Sequence, residues 1–362
     1  MGSNLDRGTC HINGLGRKAA IDCSRTDVEL IDRQRQGPVA MFLDGRFGPE
    51  IPSGLTSMPR KRSLYSIDTY FWEGWEDLVG VAGGTTHELL AAHVLVLLKP
   101  DAVAGRKLKT AIEWIRTNGF AISACLPVQV SRHQTRALWR YQWNTAPRAR
   151  KEALDALMGV SSSLLLVLRS RDSGTGNASR RFALMKGPAN PENQRTGELR
   201  CVLGNRTHLI SFVHASDEPA DLVREVAILL SNHERQGLFH RMAAHVDIAE
   251  RDLADACADI YRLVPERDFD LSASFGRLEG AADDAIGLLH ADRALVQRML
   301  ADIRTGRSLD WRGLFSTMDQ CGIRYDKWDL LMVAAQLSNV VHDRVELLIP
   351  GPEYGRTMEV SE

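Results

Sequence analysis

The chain has 362 residues, 44% of them hydrophobic, with 45 basic and 46 acidic side chains and a formal charge of −1. At about 150 residues per domain this is too long for one ordinary domain and allows a large core. The charge balance gives no reason to expect a nucleic acid or a membrane surface as partner, no stretch approaches the roughly 20 apolar residues of a spanning helix, and the first 30 residues lack a secretory core. A cytoplasmic location is therefore expected. The six cysteines, Cys10, Cys23, Cys125, Cys201, Cys257 and Cys321, are too scattered for a zinc or redox pair and read as reduced structural thiols.

Residues 1–90 are rich in Gly, Pro, Ser, Arg and Asp, show no sustained period, and are expected to form an irregular extension of loops and short elements. Five aromatics, Tyr65, Tyr70, Phe71, Trp72 and Trp75, crowd eleven residues, and docking onto the next domain explains them better than a ligand does. Arg60-Lys61-Arg62 reads as a solvated basic turn.

Residues 91–232 alternate strand and helix. Apolar runs at 94–98, 120–130, 163–168 and 209–213 predict four strands. Between them lie a helix over 107–118 with Leu108, Ile112 and Ile115 on one stripe, a Ser131-capped helix carrying Leu138, Trp139 and Tyr141, and a helical stretch over 151–158. A Ser/Gly/Asn-rich loop fills 170–179, and a last helix over 219–230 carries Leu222, Val226 and Leu229. This order predicts an α+β fold, a ferredoxin-like split β-α-β sheet with helices on one face. Residues 233–362 read as a separate all-helical domain, with stripes at Ile248, Leu253, Cys257, Ile260 and Val264, at Ile286, Leu289, Val296, Met299 and Ile303, and along 328–349. His233, His240 and His245 read as solvated helix-surface histidines, so no metal site is expected.

Two polar residues stand where apolar runs end: Lys99 after 94–98 and His214 after 209–213, 115 residues apart. A cation that holds phosphate and an imidazole that acts as nucleophile together suit phosphoryl transfer. Around them fall Leu98-Lys99-Pro100-Asp101, Tyr141, Gly187-Pro188-Ala189-Asn190-Pro191, Thr196-Gly197-Glu198-Leu199-Arg200, His214-Ala215-Ser216-Asp217 and Glu225. In order and approximate spacing, residues 93–230 resemble the nucleoside diphosphate kinases.

The resemblance implies a phosphotransferase that takes the γ-phosphoryl group of ATP onto His214 and passes it to a nucleoside diphosphate or a specialised acceptor. Neutral imidazole, with an ordinary pKa of about 6.5, is a competent nucleophile near pH 7. By the same resemblance, Glu225 orients the ring, Lys99 and Arg200 neutralise phosphate, Tyr141 and Ser216 lie near the transferred group, Arg181 replaces a phosphate-binding Arg after a small register shift, and Ser211 stands at the sugar-contacting position. Magnesium bridging the substrate phosphates and a homo-oligomeric assembly are implied too. Asp101 and Asp217 read as caps or turn formers.

The chain departs from the family at Ser211 in place of Asn, Ala189 in place of Thr and Ala215 in place of Gly, and lacks a base-stacking aromatic in 146–151. Phosphate-handling groups are retained better than nucleoside-recognising ones. Two alternatives therefore stand beside the phosphotransferase: a nucleotide-binding regulatory module without turnover, and a different nucleotide-dependent reaction in the same pocket. In the regulatory module the helical domain would bind a protein partner, whereas in the phosphotransferase it and the aromatic N-terminal segment would shape the site for a second substrate.

Overall fold

Strands β1 (His93–Leu98), β2 (Phe120–Val128), β3 (Ser163–Ser170) and β4 (Val213–Ala215) pair into one antiparallel sheet of order β2-β3-β1-β4. The computed structural model describes residues 50–172, 176–337 and 347–350. The expectation for residues 1–49, Cys10 and Cys23 included, part of the 170–179 loop and most of the end of the 328–349 run lie outside the described residues. Helices α1 (Pro59–Tyr65), α2 (Thr69–Ala82) and α3 (Thr86–Ala92) precede the sheet. Helices α4 (Pro100–Ala104) and α5 (Leu108–Thr117) join β1 to β2, α6 (Arg132–Leu138) and α7 (Arg148–Gly159) join β2 to β3, and α8 (Ala178–Lys186) and α9 (Leu199–Leu203) join β3 to β4. After β4 the described chain is helical: α10 (Pro219–Leu229), α11 (Asn232–Ala243), α12 (Glu250–Leu263), α13 (Leu271–Asp283), α14 (His290–Arg304), α15 (Trp311–Gln320) and α16 (Lys327–Leu337). This is the ferredoxin-like α+β arrangement read from the sequence, followed by a helical C-terminal region.

The central strands are covered on both faces, not on one. From Val94 to Leu98 every side chain is buried regardless of parity, and so is every one from Leu164 to Leu168. Such strands lose the alternation of a half-exposed sheet and read as continuous apolar runs. The outer edge of β2 is partly closed, because Ile248 N donates to Ile122 O, beside the irregularity between Ile122 and Ala124.

The fourth strand differs from its prediction. Phe212 takes φ +60, a left-handed conformation that breaks 209–213 as a strand, and pairing with β1 starts only at Val213. Asp101 holds the turn: its Oδ2 accepts from Phe212 N at 2.8 Å, while Phe212 O accepts from Lys99 N at 2.9 Å. His214 thus sits inside β4, opposite Leu97.

Most of residues 59–92 is helical where loops and short elements were expected. Asp68 caps α2 by accepting from Tyr70 N and Phe71 N, and Phe71, Gly74 and Leu78 face inward at helical spacing. This face lies on α10, whose eleven residues are all buried. The crossing needs Gly74, since a Cβ there would stand 2.4 Å from Val223 O. Buried charge reinforces the contact. Lys61 Nζ lies 2.7 Å from Asp221 Oδ2 and 3.0 Å from Glu218 Oε2, Tyr65 donates to Asp221 at 2.6 Å, and Arg224 Nε lies 2.8 Å from Asp68 Oδ2. Lys61 is therefore a buried ion-pair partner rather than part of a solvated turn. Tyr65 and Phe71 dock as the aromatic cluster predicts.

The C-terminal helices join the same body. Arg106 donates to Tyr261 O and Val264 O, the Tyr261 hydroxyl accepts from Leu108 N, and Arg267 N donates to Ala104 O. Val296, Leu300 and Ile303 are buried along α14, but Ile286 and Leu289 precede that helix and are exposed, so the predicted stripe begins too early. His233, His240 and His245 are exposed and do not converge; among the described residues no group of three metal-ligating side chains forms.

Candidate active site

Strand register sets the site. Pairing of His214 with Leu97 and of Lys99 N with Phe212 O brings the nucleophile candidate and the lysine to the same end of adjacent strands. There a cleft holding about 850 Å³ of empty space, partly open to solvent, is lined by Lys99, Ser211, His214 and Asp217 from the strand ends, Lys186 and Ala189 after β3, Arg200 of α9, His208 and Leu209, and Trp139, Gln142, Trp143 and Leu154 opposite.

His214 Nε2 lies 2.9 Å from Glu225 Oε1, and Glu225 is 3% exposed on the buried helix α10. A carboxylate can only accept, so Nε2 carries the hydrogen and Nδ1 keeps its lone pair. The ring is also held by Trp139, whose indole meets it edge-on at 5.1 Å between centroids. Orientation, tautomer and a free nitrogen lone pair are what a nucleophilic imidazole needs.

Three cations converge on the cleft. Lys99 Nζ donates to Leu209 O at 2.7 Å and lies 3.3 Å from Asp101 Oδ2; burial holds its pKa below the usual lysine value, with Asp101 opposing the drop. Arg200 donates to Gly187 O at 2.8 Å and to Val213 O at 2.7 Å, which ties α9 to the β4 edge. Lys186, 3% exposed, lies 3.1 Å from Asp217 Oδ1. Burial would raise the Asp217 pKa, but Lys186, Lys61 and His214 together bring it below the ordinary aspartate value.

Of the residues picked from the sequence, His214, Glu225, Lys99, Arg200 and Ser211 come together here. Three do not line the cleft. Tyr141 lies past the end of α6, and its hydroxyl donates to Asp68 Oδ2 at 2.8 Å, inside the network that seats α2 on α10. Burial and then Asp68 push its phenol up to about 12. Arg181 reaches Asn118 O at 2.6 Å, Asp172 and the face of Phe120, fastening α8 to the β2–β3 end. Ser216 is fully buried, accepts from Leu95 N at 3.1 Å and meets Ser179 Oγ at 3.4 Å. Asp101 acts as the turn former expected of it, holding Phe212 N, and also pairs with Lys99, whereas Asp217 pairs with Lys186.

Sequence reasoning passed over Lys186, Trp139, Trp143 and His208. Lys186 could have been found: it lies five residues after Arg181, and a helix turns about 140° over that interval, so only one of them faces β4. The indoles stand before the 146–151 segment where an aromatic was sought.

A family model described as nucleoside diphosphate kinase matches residues 92–235. The nucleoside diphosphate kinase of Lawsonia intracellularis is 30% identical over 149 residues, which are 40% of this chain and 97% of the relative; that of Glaesserella parasuis is 25% identical over 140 residues, 39% and 95%. Among solved structures, an Aquifex aeolicus nucleoside diphosphate kinase aligns at 22% identity and TM-score 0.33, covering 39% of this chain and 95% of that one. Nearly the whole length of these kinases is therefore contained in two-fifths of this chain, and through that part the chain belongs to the nucleoside diphosphate kinase family, a family of nucleotide phosphotransferases.

Proposed function

We propose that the protein moves the γ-phosphoryl group of ATP through a phosphohistidine at His214 to a nucleoside diphosphate or a specialised acceptor. The observation that carries the reading is the His214–Glu225 contact at the floor of a cleft lined by Lys99, Lys186 and Arg200. In the first half-reaction the Nδ1 lone pair forms a bond to the γ-phosphorus while the bond to the bridging oxygen breaks, and its electron pair leaves on ADP. In the second, an oxygen of the acceptor attacks phosphorus and the P–N bond breaks, returning its pair to the ring. Glu225 accepts the Nε2 hydrogen throughout, which stabilises the positive ring of the intermediate. Lys99, Lys186 and Arg200 offset charge spread over the phosphoryl oxygens, where electrostatics dominate the rate.

Magnesium neutralises phosphate charge when it arrives with the nucleotide. Among the described residues lining the cleft, Asp217 is the only acidic side chain and Lys186 engages it, so a magnesium ion bound there would draw most of its ligands from the substrate.

One observation favours the regulatory alternative: Lys99 and Arg200 are already engaged by the protein's own carbonyl groups. Incubation of the protein with γ-labelled ATP and magnesium separates the readings. Acid-labile label on wild type, absent from His214→Ala and discharged by added diphosphate, is the expected result. Bound ATP without label would leave the regulatory reading in its place.

Domain assignment belongs to the proposal as well: residues 91–232 as the catalytic unit, 1–90 as an N-terminal extension and 233–362 as a helical addition that recognises a second substrate or partner.

A further inference from the structure

The cleft wall at Trp143, against which Arg150 stacks, differs chemically from the His214 end. At the His214 end each cation is engaged: Lys99 with Asp101, Lys186 with Asp217, Arg200 with two carbonyls. Leading away from His214, ring contacts run from His214 to Trp139 at 5.1 Å, from Trp139 to Trp143 at 6.2 Å, and from Trp143 to Arg150, whose guanidinium lies 4.8 Å from the indole centroid.

Arg150 is half-buried, and among the described residues no hydrogen bond or ion pair engages it. Its neighbours add to the imbalance. His208, on the cleft wall, has its pKa lowered by burial, then by Arg150 and Arg200. Burial alone lowers that of Arg150. The carboxylates on the helix that carries Arg150 are engaged elsewhere, Asp155 with Arg136 and Arg132 and Glu152 with Arg148 and Arg312, while Glu192 partly offsets the cations around His208. A half-desolvated cation without a counter-charge is costly, and an arriving anion removes that cost. One face of Trp143 is also occupied by the guanidinium, so that face presents charge to a ligand instead of a platform for a base.

We infer that Arg150, laid on Trp143 beside His208, binds a second anionic group of the acceptor, so that the preferred acceptor is a nucleoside diphosphate bearing an additional phosphate. The inference rests on the phosphotransferase reading for the word acceptor, but the binding preference stands or falls by itself. Phosphoryl transfer then proceeds as above, from the His214 nitrogen to a terminal phosphate oxygen, with the additional phosphate unchanged.

Equilibrium binding tests it on the full chain. ADP is compared with ADP carrying a further phosphate on the ribose 2′- or 3′-oxygen, for wild type and Arg150→Gln, at two salt concentrations. Wild type should bind at least one of the additionally phosphorylated nucleotides roughly ten- to a hundredfold more tightly than ADP, the range of a charge-assisted hydrogen bond. That ratio should shrink toward one in Arg150→Gln and at high salt. Equal binding by wild type, or an unchanged ratio in the variant, overturns the inference. A clear preference in a protein that ATP does not label at His214 keeps the site and overturns the phosphotransferase reading instead.

Discussion

The crossing of α2 over α10 makes a prediction that opposes helix propensity. Gly74 and Gly80 both lie inside α2. A Cβ at Gly80 meets nothing within 4 Å, whereas one at Gly74 stands 2.4 Å from Val223 O. Alanine is the better helix former at both, by about 0.5–1 kcal/mol. At Gly74 the helices must part by about 0.6 Å merely to reach the shortest distance real Cβ atoms show. Overpacking of that kind costs about 1–3 kcal/mol, because the obstacle is backbone and cannot rotate away. Gly80→Ala should therefore gain about 0.5–1 kcal/mol and Gly74→Ala lose about 1–2 kcal/mol. Urea denaturation read by circular dichroism measures both midpoints, with an unchanged slope as the check that the unfolded state is the same. Since Glu225 rides on α10, Gly74→Ala should also slow labelling of His214. If Gly74→Ala proves as stable as Gly80→Ala, the close crossing is refuted.

Glu225→Gln replaces an acceptor-only carboxylate with an amide that can present a donor to Nε2; labelling of His214 by ATP should fall about a hundredfold while nucleotide binding holds, and an unchanged rate would remove Glu225 from the mechanism. Lys186→Met should cost labelling on the same scale, whereas Arg181→Met should act on stability through the β2–β3 end; equal kinetic losses would contradict the placement of these two cations. The third expectation concerns acid. Burial alone would raise the Glu218 pKa, but Lys61 and the bonds from Ser57 and Thr56 outweigh it and hold the carboxyl at about 2. The pKa is depressed in the folded state, so its stabilisation is present above about pH 4.5 and is lost as pH falls toward 2, amounting to about 2 kcal/mol by pH 3. Denaturation at pH 5 and pH 3 should show that loss in wild type and a shallower one in Glu218→Gln.

The sequence determined what local rules can reach. Four apolar runs and the helices between them specified the antiparallel α+β sheet, because continuous burial on both faces leaves uninterrupted Val/Leu runs. Lys99 and His214 stand out in the sequence as polar residues closing apolar runs, whereas Glu225 is named only through the family resemblance; the pairing of β1 with β4 and the seating of α10 put the three together. Helix α2 was legible in principle from Asp68 and the spacing of Phe71, Gly74 and Leu78, but interior glycines and crowded aromatics mask a helical period. What tertiary structure alone decided is which of several equivalent polar residues faces the cleft. Tyr141 turned to Asp68 because Arg224 draws that carboxylate into the buried contact between α2 and α10. Lys186 took the position expected of Arg181 through the rotation of α8 over the sheet. Phe212 could adopt a left-handed conformation, which shortened β4, only because Asp101, 111 residues away, holds its N–H. These outcomes depend on contacts between residues distant in the chain, and no propensity or spacing within one segment encodes them.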